Sequence, residues 1–235
     1  MTSRDDILGR LRSARGRPFP DAAPVPVQYQ PVTRIDDTTP DGLLARFRNE
    51  LTALQGEVYI EADGEAARAR VVALLAEAAA AHTGAGEPRI ACWHFRYIPI
   101  PRLYTTLQKA GYTVDYPHIH ADDRPAELAR LEQAVAGLTG VEAAIAATGT
   151  LVIGSGPGKS RIPGMLPPVH VAVVRRDQLL PRLEDWLARQ RADGMRAVQD
   201  RANVCFITGP SRTADIEKQL VVGVHGPGRL QVVIY

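Results

Sequence analysis

The chain has 235 residues, 45% of them hydrophobic and 23% charged, and its 28 basic and 26 acidic side chains leave a net charge of +2. That is the balance of a globular domain able to bury a sizeable core; it excludes a disordered chain and gives no basic footprint for nucleic acid. Two cysteines, Cys92 and Cys205, are too few for a disulfide framework or for the four thiolates of an iron–sulfur cluster, so no cofactor is expected on this chain alone.

At the amino end, residues 3–15 predict a short helix. Ser3 can cap it, Asp5 and Asp6 suit its positive end, and Ile7, Leu8 and Leu11 share a face. The opening segment alternates charge and lacks the apolar centre of a secretory signal. Pro18, Pro20, Pro24, Pro26 and Pro31 then forbid a helix or an inner strand. Residues 16–38 therefore read as an extended arm, expected to lie on the domain or on a partner subunit and so to offer a route to a homo-oligomer. This makes 1–38 a helix and arm, and 39–235 the compact domain.

The domain opens with Thr39 and Pro40, a cap and first residue for a helix carrying Leu43, Leu44, Phe47, Leu51 and Leu54 on one side and ended by Gly56. Strands are then predicted at 57–60, 89–93, 112–116, 143–147, 151–153, 169–174, 203–208 and 230–235. Helices are predicted at 64–82, 101–110, 124–136, 177–192 and 213–220. Such alternation implies an α/β fold, a mostly parallel sheet with helices on both faces. No apolar run approaches the roughly 18 residues of a membrane span, and the two thiols read as buried in a reducing compartment. A cytoplasmic protein is the expectation.

Parallel sheets collect ligands at the carboxyl ends of their strands, which directs attention to the loops 147–150, 154–168 and 208–213. The segment from Gly154 to Arg161, GSGPGKSR, is near a phosphate loop of the form GxxxxGK[ST]. Ile153 fills the place of the first glycine, and Pro163, Gly164, Pro167 and Pro168 forbid the helix that must follow. A nucleotide triphosphatase is not expected. Lys159 and Arg161 remain candidates to close over an anion. In the segment 206–220 the chain turns at Gly209 and Pro210, and Ser211 and Thr213 can both cap the predicted helix, whose free N–H groups suit a small carboxylate or phosphate. Asp215 and Glu217 fall in its first turn as structural support. His225, between glycines, is a weak candidate for acid–base chemistry. His118 and His120 share a face if extended, but no third ligand is identifiable and no metal is expected. Cys92 and His94 lack a cation to activate the thiol.

The segments ATGTLVIGSGPG and GPSRTADIEKQLVVGVHGPGRLQVVIY resemble the lactate utilization protein C family, the YkgG-like or LUD-domain proteins, over roughly residues 40–235. The resemblance implies a fold akin to the sugar-phosphate isomerase and CoA-transferase group. It also implies a role in oxidising L-lactate to pyruvate beside iron–sulfur partner proteins that hold the clusters. Thr148, Gly149 and Thr150 match the family's Thr-Gly-Thr turn, and Arg161 matches a basic residue in the next loop. Gly209, Pro210, Ser211, Thr213, Asp215, Ile216 and Glu217 match the predicted helix start, and Gly223, His225, Gly226 and Pro227 the closing turn. Where the family commonly carries a Glu before Thr-Gly-Thr, this chain has Ala147, which cannot form a covalent acyl intermediate. The expected function is a substrate-handling or accessory subunit of lactate oxidation. The alternatives are an independent isomerase or transferase on a small phosphorylated or acyl substrate, and a regulator that binds a small acid. The ligand cleft is expected where Thr148–Thr150, Ser211–Thr213 and His225 converge, with Lys159 and Arg161 as counter-charges.

Overall fold

In the computed structural model the described residues are 3–14, 32–82, 87–118, 123–214 and 220–235. The chain divides into two units, 1–32 and 33–235. The first contains α1 (Ser3–Ala14); most of the predicted arm, residues 15–31, lies outside the described residues.

The second unit opens with α2 (Pro40–Ala53), where the Thr39 hydroxyl accepts a hydrogen bond from Gly42 N–H at 3.1 Å and Pro40 takes the first turn. There follow β1 (Glu57–Ile60), α3 (Gly64–Ala81), β2 (Arg89–Cys92), α4 (Leu103–Lys109), β3 (Thr113–Asp115), α5 (Arg124–Leu131) and β4 (Ala134–Thr139). Next come β5 (Ala143–Ile145), β6 (Thr150–Ser155), β7 (Val169–Val174), β8 (Leu179–Leu180), α6 (Leu183–Ala192) and α7 (Arg196–Gln199). The chain closes with β9 (Asn203–Ile207), β10 (Arg212–Ala214), β11 (Leu220–Val222) and β12 (Arg229–Ile234).

The main sheet is six-stranded and wholly parallel, in the order β1-β12-β7-β4-β2-β3. Alternation along its strands sends side chains to two cores. Val169, Val171 and Val173 join α3 through Val71, Leu74 and Leu75. Ala172 and Val174 join Phe47 and Leu51 of α2, and Ala144 and Leu151 of a second sheet. That second sheet, in the order β8-β5-β6-β9, is four-stranded; β6 runs antiparallel to β5 and to β9, while β8 is parallel to β5.

The α/β class and the parallel main sheet are as the alternation implied, but three predicted helices are corrected. The helix expected over 124–136 stops at Leu131, and Ala134–Thr139 is a central strand buried at every position. Its alanines and glycine hide β character. Gly137 is needed because a Cβ there would lie 1.6 Å from the Pro163 carbonyl oxygen. The helix expected over 177–192 begins only at Leu183, since Pro181 cannot sit in a helix interior; a 3-10 turn and β8 precede it. No described residue from 213 to 220 is helical: β10 and β11 form an antiparallel pair, Thr213 opposite Val221. Asp215 and Glu217 lie outside the described residues.

Candidate functional site

A cleft of about 350 Å³ opens between β9 and the amino ends of β7 and β12. Its wall includes His170, Thr208, Gly209, Ser211, His225 and Leu230. Two loops build its mouth. Ser211 N–H donates to the Pro227 carbonyl at 2.9 Å, and Gly223 N–H donates to the Ser211 carbonyl at 2.9 Å. Gly209, with φ +111°, makes the turn after β9. A Cβ on Gly226 would sit 3.1 Å from the Ser211 Cβ, so glycine there lets the loops close.

Ser211 and His225 therefore line one cleft, which lies at the amino rather than the carboxyl ends of the parallel strands. The Thr-Gly-Thr turn reaches the cleft at one remove. Thr148 Oγ1 and Thr150 Oγ1 are 2.6 Å apart, and Thr150 Oγ1 is 2.8 Å from Thr208 Oγ1 on the wall. Gly149, at φ +61°, packs under α2: a Cβ there would lie 2.5 Å from Leu51 N.

Three expected contributors are elsewhere. Thr213 is paired with Val221 in the β10–β11 hairpin, outside the lining, so the expected helix does not begin at that residue. Lys159 is buried and donates to Glu142 Oε1 at 2.6 Å, the carboxylate that Arg201 also reaches at 3.0 Å. Its ammonium stands 5.6 Å from the Trp93 ring centroid and 5.2 Å from that of Tyr97. Lys159 is thus a structural clasp. Arg161 lines a different cavity. Among the described residues no Lys or Arg lines the cleft, and His225 is on its wall.

The residue that sequence reasoning passed over is His170, on the cleft wall and only 1% exposed. Its Nε2 lies 2.9 Å from Thr139 Oγ1, and its Nδ1 has no hydrogen-bond partner among the described residues. Burial pushes its pKa from 6.5 down to about 4, which keeps the imidazole neutral near pH 7. Thr139 and Thr208 were missed with it. A lone histidine inside the apolar run VHVAVV was the available signal.

Cys92 is buried, its thiol donates to the Trp93 carbonyl at 3.0 Å, and burial pushes its pKa well up. It has none of the features of a nucleophile. Cys205 is half-buried rather than buried. Among the described residues no group of three or more His, Cys, Asp or Glu side chains is placed to hold a metal, and His120 lies outside them. Nor is any described helix long and apolar enough to cross a membrane.

A parallel six-stranded sheet backed by a small mixed sheet, with a ligand-sized cleft between them, defines an α/β protein. The LUD domain family matches residues 44–235, and the chain belongs to that family. It is similar to lactate utilization protein C of Exiguobacterium sp., 41% identical over 42% of this chain and 43% of that one. It is also similar to lactate utilization protein C of Bacillus subtilis, 34% identical over 54% of this chain and 56% of that one. These matches span about half the length of the curated relatives. In fold it is like a DUF162 family protein from Deinococcus radiodurans, with a TM-score of 0.55 and 22% identity, covering 84% of this chain and 99% of that one.

Proposed function

We propose that the chain is a subunit of an L-lactate utilization system that holds the small 2-hydroxy or 2-oxo acid, while iron–sulfur partner proteins carry the electrons. The relatives' shared name supplies the substrate class. The observation that carries the reading is the cleft itself. It is small, no Lys or Arg among the described residues lines it, and it sets His225 and Ser211 at the mouth against a neutral His170. A carboxylate at the mouth takes hydrogen bonds from the Ser211 hydroxyl and from His225. The adjacent hydroxyl or keto oxygen then faces His170, whose Nε2 is engaged with Thr139 Oγ1. Ala147 is buried in the β5–β6 turn and offers no carboxylate for acyl transfer.

A strain lacking the chain should fail to grow on L-lactate as sole carbon source and should regain growth with the wild-type sequence. Ser211→Ala and His225→Ala should each restore it poorly. Unimpaired growth of the deletion strain would end the reading. The accessory role is tested separately: pull-down of the chain from lactate-grown cells should return a Cys-rich iron–sulfur protein, and recovery of this chain alone would argue against it.

A further inference from the structure

The stretch from Ser155 to Ile162 lines a second, larger cavity of about 850 Å³. It lies beyond the carboxyl end of β3, past Pro117 and His118, and its wall includes Arg124 and Leu128 of α5. The same stretch also covers the end of β2. His94 N–H donates to the Gly158 carbonyl at 2.9 Å, and Trp93 Nε1–H donates to the Ser160 carbonyl at 2.7 Å. In the sheet order β2 stands between β3 and β4. The chain steps outward from β2 to β3 and returns on the other side, and at such a switch point a doubly wound sheet opens a crevice at its carboxyl edge.

The charge of this cavity is one-sided. Arg124 and Arg161 both line it, both are exposed, and neither makes an ion pair among the described residues. Among the described residues no Asp or Glu is in the lining. Asp115 is engaged by Arg89 and Arg130, and Glu127 by Arg130, while Asp123, next to Arg124 in the chain, is exposed and outside the lining. On the same wall Ser155 is buried, and its hydroxyl has no partner among the described residues. Lys159 plays no part, because Glu142 holds it.

We propose that this cavity binds a small organic phosphate. Two guanidinium forks match the oxygens of a phosphate dianion bidentately, whereas one carboxylate would occupy only one of them. The volume admits a body the size of a sugar or nucleoside, and Pro117, Leu128, Pro157 and Ile162 give that body an apolar surface. The site is distinct from the acid-binding cleft, so the two readings stand or fall separately.

Calorimetric titration of the whole chain with inorganic pyrophosphate tests it, with L-lactate as the comparison ligand. Pyrophosphate should saturate one site. Arg124→Ala and Arg161→Ala should each weaken it by about 10- to 100-fold, the range of a charged hydrogen bond, and Arg161→Lys by less. Arg189→Ala, exposed on α6 and outside the cavity, should change nothing. Since both arginines are exposed and unpaired, their alanine variants should keep the wild-type melting temperature. Absence of saturable binding overturns the proposal, as does binding that survives in the Arg124→Ala/Arg161→Ala double variant.

Discussion

Glu142→Ala should destabilise the domain by about 3 kcal/mol, the lower end of the range for removing one partner of a buried ion pair. Its carboxylate, 15% exposed, is shared by Lys159 at 7% and Arg201 at 28%. Without it the ammonium of Lys159 stays in the interior against Trp93 and Tyr97 with no counter-charge. The loss therefore comes from the stranded lysine more than from the pair's own attraction. A second change separates the two. Lys159→Met keeps the apolar stem and removes the charge, so Glu142→Ala/Lys159→Met should recover much of the stability in urea unfolding. If Glu142→Ala shifts the transition by less than about 1 kcal/mol, the clasp is solvated and behaves as a surface pair. Gly154→Ala should reproduce part of the effect, because the new Cβ would lie 2.6 Å from Glu142 Oε1. The clasp also accounts for the phosphate-loop likeness. Gly154 makes room for the carboxylate and Lys159 meets it, so Lys159→Ala should leave no nucleotide response to lose.

How much of this was legible in the sequence follows from where the information resides. The helix cap at Thr39 and Pro40 and the apolar stripe from Leu43 to Leu51 are local, and they read correctly. The strands rich in β-branched residues, such as Val169–Val174, read correctly for the same reason. Ala134–Thr139 did not, since its strand character comes from burial between β2 and β7 and not from its own residues. The hairpin of β10 and β11 depends on pairing between Arg212–Ala214 and Leu220–Val222, which no local signal announces. In the site, Ser211 and His225 were found because glycines around them announce turns. His170 was not, because its significance lies in a contact with Thr139, 31 positions away in the chain. Arg161 was placed with the wrong partners because nothing local shows that Ile162 and Gly164 line different cavities.

Acid should weaken the fold through His170 by an amount on the order of 3 kcal/mol. The imidazole titrates at about 4 when folded and at 6.5 in its ordinary state, and desolvation is the cause. Above pH 6.5 both the folded and unfolded chains hold it neutral, and its contribution is constant. Between 6.5 and about 4 the unfolded chain takes up a proton that the folded chain refuses, so stability falls steadily as pH drops through this window. Below about 4 both forms are protonated and the effect saturates. His170→Gln keeps a hydrogen-bonding group for Thr139 but cannot titrate. The difference between wild-type and variant unfolding free energies should therefore slope across the window and be flat on either side. Parallel curves would mean that water reaches Nδ1 and that the imidazole is not held neutral. Lactate adds a further readout. A carboxylate near His170 favours the imidazolium and raises its folded pKa, so saturating lactate should make the slope shallower and shift its onset. If lactate leaves the slope unaltered while pyrophosphate still binds, the acid does not occupy the cleft beside His170.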